Sequence, residues 1–148
     1  MKRSLWQLSL LGLALLAGPT LPAFAAAEAT AEHHSKGSVA RSAFTTAIVD
    51  REPVDNLVRV PNTVTRLYYF TDLRDLEGQI VTHRWEYQGQ VMAEVKFRVA
   101  GPRWRVYSSK NLLPEWSGKW TVMVLDESGW PVQADMFEYL PAEGQQTP

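Results

Sequence analysis

Residues 79–99, QIVTHRWEYQGQVMAEVKFRV, decide the fold. Apolar and polar side chains alternate on both sides of Gln88-Gly89-Gln90, the period-two pattern of two half-buried strands joined by a tight turn. Register follows from the need for one apolar face, since a slip of one residue turns every side chain over. With Gln88-Gly89-Gln90 as a three-residue loop, Tyr87 opposes Val91, Trp85 opposes Ala93, His83 opposes Val95 and Val81 opposes Phe97. A two-residue loop would set Trp85 against Met92 and strand Val95 and Phe97 among Ile80, Thr82 and Arg84, so the three-residue loop is expected.

The same test extends to the neighbouring segments. A four-residue connection at residues 100–103 pairs Val99 with Trp104 and Phe97 with Val106, and it sets Arg98 opposite Arg105. A three-residue loop at residues 127–129, with Gly129 left-handed, pairs Val124 with Val132, Val122 with Ala134 and Trp120 with Met136. Three hairpins with consistent faces predict an all-β fold, an antiparallel seven-stranded β-sandwich of immunoglobulin-like or fibronectin-like type. Strands are expected near residues 42–49, 65–72, 79–88, 91–99, 104–109, 119–126 and 132–139, with Trp85, Trp104 and Trp120 facing the core. Residues 111–116 read as a short helical turn and residues 72–77 as a loop or helical segment.

The ends differ in composition. Lys2 and Arg3 precede an apolar run from Leu5 to Leu16, too short for a bilayer, which needs roughly 20 apolar residues, but suited to a signal-peptide core. Gly18, Pro19 and Pro22 break the run, and Ala23-Phe24-Ala25 offers small residues for cleavage after Ala25. Residues 1–25 therefore read as a signal peptide, 26–41 as a flexible leader, 42–140 as the sandwich and 141–148 as a flexible tail. His33 and His34 in the leader are given no role. Export to the periplasm or beyond follows, with no stable membrane insertion after cleavage.

Without Lys2 and Arg3 the chain carries 13 basic against 16 acidic side chains, which argues against a nucleic-acid partner. No cysteine is present, so disulfides, thiol catalysis and cysteine metal sites are all excluded.

Several motifs stand in order along the chain: Phe44-Thr45-Thr46-Ala47-Ile48 with Asp50-Arg51-Glu52-Pro53, Tyr69-Phe70-Thr71-Asp72-Leu73, Thr82-His83-Arg84-Trp85-Glu86-Tyr87, Gly101-Pro102-Arg103-Trp104-Arg105-Val106, Ser108-Ser109-Lys110 and Gly118-Lys119-Trp120. Over about residues 41 to 140 the sequence resembles a bacterial family known as domain of unknown function 2914. The resemblance implies a compact domain on exported or envelope proteins and carries over no catalytic residue.

The candidate ligand-binding set is Lys96, Arg98, Arg103, Arg105, Trp116 and Trp130. Residues 84–119 hold seven bases against three acids, and like charges at Arg98 and Arg105 directly opposite one another would destabilise a sheet unless an anion offset them. The basic residues, with Lys110 beside them, form an anion site on one reading and a solvated face beside the acidic last strand on the other. Trp116 and Trp130 lie in loops, where they serve either as sugar-stacking platforms or as plugs at the ends of the sandwich. His83, between Val81 and Trp85, reads as a core histidine hydrogen-bonded within the fold. Glu86 and Glu94 have Arg84 and Met92 as their nearest expected partners, which is no acid pair across a cleft. No catalytic residue, metal site or cofactor is expected.

The expected function is a non-catalytic periplasmic binding or protein-protein interaction module of the cell envelope, its partner an envelope protein. Two alternatives stay open: a carbohydrate-binding domain for an acidic glycan, and a hydrolase built around His83.

Overall fold

The computed structural model describes residues 36–141. The signal peptide, most of the leader with His33 and His34, and nearly all of the tail lie outside these residues.

Ten strands are formed: β1 (Ser38–Thr45), β2 (Ile48–Val49), β3 (Glu52–Pro53), β4 (Arg59–Pro61), β5 (Arg66–Arg74), β6 (Ile80–Tyr87), β7 (Gln90–Arg98), β8 (Arg103–Asn111), β9 (Gly118–Leu125) and β10 (Pro131–Leu140). A 3-10 turn at Pro114–Trp116 supplies the helical turn expected there. One sheet has the order β1-β5-β8 and the other β4-β10-β9-β6-β7, while β2 and β3 make a small separate hairpin. The seven long strands lie where the sequence placed seven, and their division into three and four is that of an immunoglobulin-like or fibronectin-like sandwich.

Burial follows the alternation. Leu67, Tyr69 and Leu73 of β5 meet Val81 and Trp85 of β6, Val122 and Val124 of β9, and Phe137 and Tyr139 of β10 in one core. Aromatic rings link the sheets, Phe44 lying 4.8 Å from Phe137 and 4.9 Å from Tyr69. The Tyr139 hydroxyl is shared between the carbonyls of Asn62 and Val64, tying the segment after β4 to the core.

Four expectations are corrected. Gln88 and Gly89, both at positive φ, form a two-residue turn that pairs Tyr87 with Gln90, and a bulge at Met92 then restores the expected Trp85-Ala93, His83-Val95 and Val81-Phe97 pairs. The last hairpin closes on the expected loop, with the Asp126 amide donating to the Trp130 carbonyl. A register shift between Pro131 and Gln133 then moves the strand on by one, so Val122 opposes Asp135 and Trp120 opposes Phe137. Phe137 is buried and Met136 exposed, the reverse of what the unbroken register required.

The third correction concerns β7 and β8, which do not pair. The chain crosses at residues 99–102 from one sheet to the other, so Arg98 opposes Ile80 while Arg105 opposes Asp72. Finally, β1 starts at Ser38 inside the expected leader and ends at Thr45, the end of the expected 42–49 strand splits off as β2, β5 runs on to Arg74, and the short strands β3 and β4 are additional to the seven expected. The β4 strand runs parallel to β10, the one exception to antiparallel pairing in the two sheets.

Candidate functional site

His83 is fully buried between the sheets, its Nε2 3.0 Å from the Thr71 hydroxyl and its Nδ1 2.9 Å from that of Ser108. Trp85 Nε1 donates to the same Ser108 oxygen at 3.0 Å. Burial pushes the imidazole down to about 3, so the ring is neutral and each of its nitrogens has a hydroxyl partner. A serine beside a histidine can suggest a nucleophile and base, but Ser108 is buried, 4% exposed, and its hydroxyl is held by both His83 and Trp85. The network is a satisfied core cluster, as the sequence suggested for His83.

The arginines assemble differently from the expected set. On the outer face of the three-stranded sheet, Arg41, Asp72 and Arg105 stand in one cross-strand row, with Arg74 and Arg103 in the next. Asp72 accepts from Arg103 Nε and Nη2 and lies 3.2 Å from Arg74. Glu52 leans over from β3 and binds both Arg41 and Arg105, pinning the small hairpin to the sheet. The Asp72 side chain is 4% exposed, against 55% for that of Arg103. Burial alone would raise the Asp72 carboxyl, but hydrogen bonds and charge from Arg103, joined by Arg74, outweigh it and hold the group below its ordinary range. Hydrogen bonds from Arg41 and Arg105 do the same for Glu52.

Along the same face, Tyr68 and Tyr107 meet edge to face at 6.2 Å, and Arg66 lies over Tyr68 while donating to Ser109. Arg103 and Arg105 thus belong to a shared surface, whereas Lys96 and Arg98 lie on the five-stranded sheet. Lys96 lines a groove of about 270 Å³ with Thr82, Arg84, Glu94 and the residue 126–129 turn, where Arg84 binds Glu94 at 2.7 Å. Trp116 packs at 6.0 Å from Trp120 with the Lys110 ammonium over its ring. Trp130, half exposed, ends the β9–β10 turn of the five-stranded sheet. The two loop tryptophans are therefore not combined with Arg103 and Arg105.

A third feature lies where β10 meets β1. Val58 and Met136 are 66% and 57% exposed and are shared by two neighbouring depressions of about 190 and 390 Å³. The first is flanked by Ser42 and Phe44 of β1 and by Asp135, whose carboxylate accepts from Tyr69 at 2.6 Å. Glu138 N donates to the Val58 carbonyl and Asn62 N to that of Leu140, so even-numbered residues of β10 turn their backbone groups toward β4. Pairing with β4 stops at Glu138. By alternation, Ala134 and Met136 present N–H and C=O groups to the groove, an unpaired edge beside exposed apolar side chains.

Sequence reasoning missed Arg41, Glu52, Asp72 and Arg74 because they come together only through the β1-β5-β8 order and the small hairpin. It missed Met136 through the register shift. A signal for Tyr107 was present, since alternation sets it on the face of β8 opposite Ser108.

Among the described residues no helix is long and apolar enough to cross a membrane, and no group of three His, Cys, Asp or Glu could hold a metal ion. Residues 78–139 match the model of a family described as a protein of unknown function (DUF2914), which supports the resemblance carried by the motifs. The match spans β6 to β10. No curated protein matches the chain.

Proposed function

We propose that this chain, whose residues 78–139 match the DUF2914 family model, is an exported, non-catalytic interaction module of the cell envelope that receives an extended segment of a partner protein along the free edge of β10. The observation that carries this reading is the unpaired stretch of β10 next to exposed Val58 and Met136. An added strand would satisfy the open backbone groups of Ala134 and Met136 and continue the line begun by β4, while an apolar side chain of the partner covers Val58 and Met136. The burial of His83 and the hydroxyl partners on both its nitrogens favour binding over hydrolysis. The charged start, apolar core and Ala23-Phe24-Ala25 favour export, with a mature chain beginning at Ala26.

The test is selection of extended peptides from a displayed library against the folded protein, followed by amide NMR mapping and affinity measurement. Peptides should shift the Ala134 and Met136 amides, and Ala134→Pro should weaken them about tenfold or more, because it deletes an outward N–H without touching the β9 ladder. Peptides that map elsewhere, or that bind the Ala134→Pro protein equally well, would overturn the proposal. Thermal unfolding of the variant guards against a misfolded control.

A further inference from the structure

We propose that the outer face of the three-stranded sheet is a second, independent site that binds a strand of acidic polysaccharide, with its acidic groups on Arg41, Arg74, Arg103 and Arg105 and a sugar ring against Tyr107. Charge is the first argument. Four guanidiniums meet two carboxylates, Glu52 and Asp72, in one patch of a chain whose formal charge is −1. Neutralising two carboxylates needs two bases, so two positive charges are left over at one place.

The vertical arrangement is the second argument. Asp72 lies underneath at 4% exposure while the Arg103 and Arg41 side chains are 55% and 49% exposed. Solvent therefore meets Arg103 and Arg41 above Asp72, while Glu52, 38% exposed, shares the surface with them. Asp72 takes Nε and Nη2 of Arg103, which fixes the guanidinium plane and leaves Nη1 outside that pair. A fork held in this way suits a planar carboxylate better than a loose ammonium would.

The third argument is the surface that continues from the cations. Tyr107 is 47% exposed and stands two residues along β8 from Arg105, on the same face. Tyr68 braces it, and Arg66 with Ser109 offers donors at the far end. The face follows β5 and β8 for nine residues each, roughly 30 Å at about 3.3 Å per residue, which accommodates several sugar rings in a line. Glu52 of the small hairpin reaches over the Arg41–Asp72–Arg105 row and binds a base on each outer strand, while the β8 edge is open. Single-stranded nucleic acid, the rival polyanion for these cations, is one arm of the test below.

The experiment is calorimetric titration of the full exported chain with a galacturonate hexamer, a neutral cello-oligosaccharide and a single-stranded oligonucleotide. Saturable, salt-weakened binding of the hexamer alone is expected. Tyr107→Ala should weaken it about tenfold, and Arg103→Lys, which keeps the charge opposite Asp72 but loses the fork, about fivefold. Lys96→Gln and Arg98→Gln, on the other sheet, should leave it within about twofold. No binding of the hexamer, equal losses in the Lys96 and Arg98 variants, or tighter binding of the oligonucleotide would each overturn the site. Ala134→Pro should not affect the hexamer, which separates this proposal from the one made for β10.

Discussion

Replacing His83 with glutamine should make the protein less sensitive to mild acid. The folded chain holds its imidazole near 3, against an ordinary value of 6.5, because the ring is wholly buried. Below pH 6.5 the unfolded chain takes up a proton that the folded chain refuses until about pH 3. Stability conferred by the neutral ring is therefore full above pH 6.5 and drains away as pH falls through that window, at about 1.4 kcal/mol per pH unit. Between pH 7 and pH 4.5 the loss amounts to roughly 2.5 kcal/mol. Glu52, Asp55 and Asp72 are held below their ordinary values, so their contributions begin to fade at about pH 5 as the unfolded chain takes up protons, and they are common to both proteins. Urea unfolding followed by tryptophan fluorescence, at about pH 7, 6, 5 and 4.5, gives both stability curves. Their difference should close by roughly 2.5 kcal/mol as the pH falls. Parallel curves would refute the reasoning and show that His83 can be protonated inside the fold.

Three further outcomes are expected from unfolding measurements at neutral pH. Phe137→Ala should cost about 3–5 kcal/mol and Met136→Ala less than about 0.5 kcal/mol, which tests the shifted register of the last hairpin directly. Ser108→Ala strips a partner from both His83 Nδ1 and Trp85 Nε1, and at about 1–3 kcal/mol for each buried group the loss should exceed about 2 kcal/mol. Gly89→Ala, at φ 75°, should cost about 1–2 kcal/mol without changing the fold.

The strands and the sandwich were legible because alternation is imposed by burial, and burial decides which side of every strand faces the core. Turn chemistry is imposed separately, and in two hairpins the two demands differ by one residue. At Gln88-Gly89 the positive-φ pair closes a two-residue turn, and the bulge at Met92 returns Trp85 and Val81 to the core. At residues 127–129, Asp126 Oδ1 accepts from the amides of Ser128 and Trp130 and fixes the loop, while the shift near Val132 turns Phe137 and Tyr139 inward. Testing an unbroken register finds the right faces in the first hairpin and the wrong ones in the last, because there Ala134 and Met136 offered apolar partners as plausible as Phe137.

The candidate site was less legible for a reason that the β7–β8 connection makes plain. Apolar faces meet whether two strands pair side by side in a hairpin or face each other across a core, so matching Val99 with Trp104 and Phe97 with Val106 could not separate the two. The crossing at residues 99–102 moves Arg103 and Arg105 to the sheet that carries Arg41, Asp72 and Arg74, and leaves Lys96 and Arg98 behind. The supposed repulsion between Arg98 and Arg105 therefore vanishes, and an excess of guanidinium charge appears on residues as far apart as 41 and 105. Local patterning predicts which side chains leave the core, but strand order decides which of them become neighbours, and on a sandwich surface a binding site is made of neighbours.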